Sequence, residues 1–168
     1  MKPPVPEFSR PLTVDRVPKG GSTERLEADA KELAALARRL SLPALHALSA
    51  ELKAEPWRGG GLKLEGRLSA DLEQVSVVSL EAFRRKVEFP VLRYFLSAAA
   101  AAHAEGDDID AIEEGSIDMG EVVAETLALE LDPYPRKEGE EFAAAADSAA
   151  EPAEKASPFA ALSGLKRK

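Results

Sequence analysis

The 168 residues allow one compact domain with an extension and scarcely two independent cores; 45% are apolar, but 30 of these are alanine and nine are aromatic, so the core is small. The absence of cysteine excludes a disulfide framework, a zinc ribbon, thiolate catalysis and an iron-sulfur cluster, and two histidines far apart, His46 and His103, make a poor metal site. The net charge of -8 is unevenly spread: residues 1–104 hold 16 basic against 13 acidic side chains, residues 105–154 hold 2 against 17, and residues 155–168 hold 4 basic and none acidic. So acidic a block repels phosphate backbones and suits a basic protein as partner, although charge runs also serve as solvated helix faces and disordered solubilisers.

The start, MKPPVPEFSRPLTV, has no apolar signal region, and no stretch reaches the roughly 18 apolar residues of a membrane span, which predicts a soluble cytoplasmic protein. From Glu7 to Val17 a weak alternation through Phe8, Leu12 and Val14, with Pro11 inside it, predicts a peripheral strand closed by Gly20 and Gly21. A helix follows over residues 30–40, with Ala30, Leu33, Ala34, Ala37 and Leu40 at helical spacing, Asp29 and Glu32 as a capping box and Pro43 as the stop.

Leu48 to Glu55 alternates with period two, RGGG at 58–61 turns, and Leu62 to Glu73 alternates again, which predicts a hairpin. A third strand over residues 83–95 carries Phe83, Arg85, Val87, Phe89, Val91, Arg93 and Phe95 on one face, and Pro90 within it predicts an edge or a bulge. The alanine tract at 98–104 fits more than one conformation. A second helix starts at Asp118, paired for capping with Glu121, carries Met119, Val122, Val123, Thr126, Leu127 and Leu131 on one stripe, and stops at Pro133.

The expected fold is α+β: a mostly antiparallel sheet packed with two main helices over residues 7–138. Residues 139–168 then form an acidic, Ala-rich disordered linker and a short basic tail, because they offer almost nothing large to bury. In that tail Ser157 and Pro158 precede Phe159, Leu162 and Leu165, then Lys166, Arg167 and Lys168, the pattern of a short helix that orders on binding.

Two stretches, QVSVVSLEAF at 74–83 and IDMGEVVAETLALELDPYPRKEG at 117–139, resemble the signatures of the YceD family, the large ribosomal RNA subunit accumulation proteins. The second is the more specific, through its Ile-Asp-x-Gly-Glu start, Ala-Glu-x-Leu-Ala-Leu centre and Asp-Pro-Tyr-Pro-Arg end, and the ending SPFAALSGLKRK resembles the alphaproteobacterial branch. The resemblance runs in element order from about Phe8 to Gly139. Ser76 stands where that family commonly has cysteine, and the carboxy-terminal cysteine pair of some branches is missing, so no metal or thiol role carries over. The resemblance implies a cytoplasmic factor for 23S ribosomal RNA accumulation, encoded in many bacteria beside a small protein of the large subunit, and no defined reaction.

No nucleophile elbow, phosphate loop or paired-histidine motif occurs, so no catalytic, metal or cofactor residue is assigned and no small-molecule substrate is expected. Gly59, Gly60 and Gly61 lack the following Lys-Ser/Thr of a phosphate loop and read as a turn. Arg84, Arg85, Lys86 and Arg93, interleaved with Phe89, Tyr94 and Phe95, have the composition of a single-stranded RNA groove, although the phenylalanines are also needed for the core and the arginines suit pairing with the acidic segment. Between fixed prolines, Tyr134 and Arg136 are candidates for outward display to a partner, the alternative being a plain helix stop with Tyr134 packed inward.

The expected function is a non-enzymatic assembly factor that holds a basic large-subunit protein against the acidic segment, with Glu113, Glu114, Glu121 and Glu125 as contacts, or stabilises precursor 23S RNA. The alternative is a direct RNA-binding module on the basic-aromatic strand, and an enzyme of RNA metabolism is the weaker third. Oligomeric state is left open.

Overall fold

The computed structural model describes residues 6–103 and 109–140. Chain order runs β1 (Pro11–Thr13), β2 (Ser22–Glu27), α1 (Ala30–Arg39), β3 (Ala44–Trp57), β4 (Gly61–Val75), β5 (Ala82–Ser97), α2 (Ala98–Ala101), β6 (Ile109–Ile112), β7 (Ser116–Asp118) and α3 (Met119–Glu130). The class is the expected α+β. Five strands form one sheet in the order β2-β3-β4-β5-β6, antiparallel except for the β5–β6 pair, and β1 pairs with β7 in a second, two-stranded ladder.

The hairpin forms where the alternation requires it, and its strands outrun the alternating core of the pattern. Leu48, Leu52, Leu62, Leu64, Leu68 and Leu72 all lie on one face and are essentially inaccessible. Register carries that face into β5, where Leu52 stands opposite Gly66 and Gly66 opposite Val91, so the odd positions of β5 point inward as their spacing predicts. The turn is tight because Gly59 and Gly60 take left-handed backbone angles of +58° and +78°. The β4–β5 ladder runs unbroken through Arg67 opposite Pro90, and β6 pairs with β5 only at residues 94–97, so among the described residues Pro90 lies on an open edge.

Both long helices cover the inner face. α1 starts with the full capping box, since Asp29 accepts from the Lys31 and Glu32 amides while the Glu32 carboxylate accepts from the Asp29 amide. Its packed stripe differs from the expected one: Leu36 is fully buried, with Leu33, Ala37 and Leu40 beside it, whereas Ala30 and Ala34 face solvent. The larger leucines at 33, 36 and 40 follow the i, i+3, i+7 rule and outcompete alanine for the core. In α3, Met119, Val122, Val123, Thr126 and Leu127 are buried as their spacing predicts.

The amino-terminal side differs from the sequence reading in two places. The peripheral strand predicted over Glu7 to Val17 shrinks to three residues followed by a 3-10 turn at Val14–Arg16, and its partner is β7. Ser22–Glu27, to which no strand was assigned, pairs with β3 along its whole length; its single large apolar residue, Leu26, leaves an alternation too faint to read. The alanine tract contains the single helical turn α2.

Candidate functional site

The end of α3 leads into a strap, residues 131–140, that crosses the loop between β4 and β5. Gln74 Nε2 donates to the Asp132 carbonyl at 3.3 Å, and the Val77 amide donates to the Pro135 carbonyl at 2.9 Å. Ser76 is wholly buried; its Oγ accepts from the Val78 and Ser79 amides and donates to the Glu140 carboxylate, which Ser79 Oγ also reaches. These two hydroxyls, Ser76 first, hold the Glu140 carboxyl below its ordinary range. The two signature stretches, some 40 residues apart in sequence, therefore meet through hydrogen bonds.

The strap settles the orientation of its tyrosine. Pro135 is buried, Tyr134 is 71% exposed and Arg136 is exposed, so the rigid dipeptide units display both side chains outward. Gly139 and Glu140, at the start of the segment expected to be disordered, belong to this docked strap, because the Ser76 and Ser79 hydroxyls give Glu140 a specific partner. The rest of that segment and the candidate tail residues Phe159, Leu162 and Leu165 lie outside the described residues.

At the opposite end of β5, the amino-terminal end of α3 faces β6 and β7 across a cleft of about 420 Å³. Asp110, Glu113, Asp118, Glu121 and Glu125 line it, with Phe95, Ile117 and Val122 as its apolar floor. Asp118 is the N-cap of α3, accepting from the Gly120 and Glu121 amides and, across the junction, from the Arg10 amide and Ser9 Oγ. The expected reciprocal half of this capping pair is not made; the Glu121 carboxylate turns instead to Arg39 of α1, at 2.6 Å, and raises that guanidinium's pKa further above its ordinary value. Arg93, on the inner face of β5, reaches both Asp110 and Glu125 at 3.1 Å. Gly120 is required for this junction, since a Cβ there would stand 2.4 Å from the Phe8 carbonyl oxygen.

Of the acidic candidates, Glu113, Glu121 and Glu125 are thus brought to one cleft. Glu114 sits exposed beside them in the β6–β7 turn, with a backbone angle of +49°. Among the described residues, Glu113 and Glu114 have no cationic partner within 4.0 Å. Tyr134 and Arg136, grouped with them from sequence, lie at the far end of α3.

The basic strand does not present one surface. Arg84 and Lys86 lie on the outer face and Arg85 and Arg93 on the inner one; Arg84 is held by both oxygens of Asp71, at 2.7 and 2.8 Å, and depresses that carboxyl's pKa. Tyr94 packs on Trp57, ring centroids 4.7 Å apart, some ten residues or about 33 Å along the strand from Arg84. Phe95 belongs to the core and Phe89 is half-buried against it. What the alternation separates, the strap reunites: Arg84, Arg85 and Lys86 line a second groove, of about 790 Å³, together with Arg136 and Lys137. Lys137 and Asp110 were not singled out from sequence; each sits in its site through a contact between distant segments, although the Arg-Lys pair after the prolines was a visible signal.

The profile of one family, large ribosomal RNA subunit accumulation protein YceD, matches residues 64–166. The chain belongs to the YceD family. Neither the curated proteins nor the solved structures that were compared contain a match. The YceD match starts inside β4 and takes in the 76–81 loop, the acidic cleft and the strap, the parts of the fold that carry both grooves. No helix among the described residues is long and apolar enough to cross a membrane.

Proposed function

We propose that this YceD protein is a non-enzymatic cytoplasmic factor that supports 23S ribosomal RNA accumulation and large-subunit assembly by holding a cationic segment of a large-subunit ribosomal protein in the acidic cleft. The observation that supports this most is the gathering of five carboxylates over an apolar floor. A lysine or arginine can lay its aliphatic stem on Phe95, Ile117 and Val122 while its head meets Glu113 or Glu114 at the rim. Arg39 and Arg93 fix three of the carboxylates in place without filling the cleft's charge, so the site is preorganised and remains net negative. Shielding a basic ribosomal protein until RNA displaces it is an electrostatic task that needs no reaction chemistry.

The alternative, RNA binding on the β5 strand itself, is less well supported, because Arg84 and Arg93 are committed to carboxylates and Tyr94 to Trp57. The test is calorimetric titration of the full chain with a Lys/Arg-rich peptide and a neutral peptide of equal length at low salt. The wild type binds the cationic peptide alone. Changing Glu113, Glu114, Glu121 and Glu125 together to Gln, which leaves acceptors for Arg39 and Arg93, weakens binding by roughly tenfold or more, as four exposed charge contacts of a few tenths of a kcal/mol or more imply. Unchanged affinity in that variant overturns the proposal.

A further inference from the structure

The second groove is formed by side chains that belong to different parts of the sequence. The first residues of β5 supply Arg85 and Lys86, the strap supplies Arg136 and Lys137, and Phe83 forms part of the wall. Glu138 is the one carboxylate among the lining residues. Arg84 also lines the groove but is neutralised by Asp71. Among the described residues, none of the other four cations has a carboxylate within 4.0 Å.

Elsewhere on the outer face of the sheet the charges are answered across strands, Arg25 by Glu51 and Arg67 by Glu88. Four cations without a carboxylate within 4.0 Å, gathered in one concavity with Lys86 across the ladder from Asp71, form a local positive patch in a chain of net charge -8, and such a patch attracts an external polyanion. The half-buried Phe83 supplies flat apolar surface beside the cations. Cations spaced along a groove with an aromatic ring beside them suit a flexible strand that offers phosphates and bases alternately.

We infer that this groove binds the backbone of single-stranded RNA, with Arg85, Lys86, Arg136 and Lys137 each facing a phosphate. The site lies at the end of β5 away from the acidic cleft, so it does not depend on the cleft's occupant. One molecule can then hold an RNA strand at one end and a cationic protein segment at the other. The strap is also a structural part of the site, since the Pro135 and Glu140 contacts to the 76–81 loop position Arg136 and Lys137 against β5.

The experiment is fluorescence anisotropy of a labelled 12-nucleotide oligouridine with the full chain at 50 and 200 mM salt. Four phosphate contacts on a single strand predict a log-log salt slope of about -2.8, an affinity loss of roughly 50-fold over that range. Arg85→Ala with Lys86→Ala, and separately Arg136→Ala with Lys137→Ala, each reduce the slope to about -1.4, a loss of roughly 7-fold, and weaken binding at 50 mM salt. The second pair lies on exposed strap positions, so its effect is readable even where the first disturbs the strand. Arg25→Ala, an exposed and paired cation elsewhere on the sheet, leaves binding unchanged, and the fourfold Gln variant of the acidic cleft retains or gains RNA affinity. Absence of RNA binding, binding with an unaltered slope in both paired variants, or capture of polyglutamate in preference to RNA would each overturn the inference, the last in favour of an acidic protein segment. Failure of the wild type to bind the cationic peptide, with its RNA binding intact, would instead count against the cleft alone.

Discussion

At the scale of single residues, Ser76 and Glu140 show how a polar contact joins distant stretches of chain. Ser76 is fully buried and uses both its acceptor and its donor capacity, so Ser76→Ala leaves two loop amides without their acceptor and costs about 1–3 kcal/mol. The depressed pKa of Glu140 fixes the sign of the pH effect. Its hydroxyl contacts stabilise the folded chain fully above the ordinary carboxyl value of 4.5, and that contribution disappears as the pH falls through the lowered value. The urea midpoint of the wild type should therefore decline relative to Glu140→Gln below about pH 4.5. A constant difference between the two down to about pH 3 contradicts the latch. Sequence showed Ser76 as a departure from a family pattern and Glu140 as the start of a polar tail; neither reading contains the contact, because a hydrogen bond across 64 positions leaves no local periodicity.

At the scale of elements, the alternating runs and the two capped helices were legible because burial imposes its period on the residues it selects. Leu48 to Ala54, Leu62 to Leu72 and the odd positions of β5 all follow the pleat. β2 was illegible for the opposite reason: an outer strand with one buried leucine needs no pattern, only backbone partners, and those come from β3. Pro90 joins these observations to a prediction. Pro90 lies on the stretch of β5 that β6 does not reach, where an unprotected strand invites pairing with another chain and a residue without a donor discourages it. Pro90→Thr should leave the thermal midpoint nearly unchanged and raise self-association in sedimentation equilibrium. A monomeric Pro90→Thr at high concentration contradicts a guarding role for this proline.

At the scale of the whole molecule, the charge division of the sequence becomes spatial. The acidic block does not lie uniformly over one face: β6, β7 and the start of α3 gather part of it into the cleft, while the end of the same block brings Arg136 and Lys137 to the basic end of β5. Net charge and the signature stretches were readable along the chain, but the pairing of Arg85 and Lys86 with the strap was not, since it depends on how α3 returns the chain across the sheet.

The decisive measurement is the ratio of 23S to 16S ribosomal RNA in cells lacking this protein and supplied with either the wild type or the Glu113, Glu114, Glu121 and Glu125 to Gln variant at matched abundance. The wild type restores the ratio and the folded variant leaves 23S RNA selectively low. Full restoration by the variant contradicts the account.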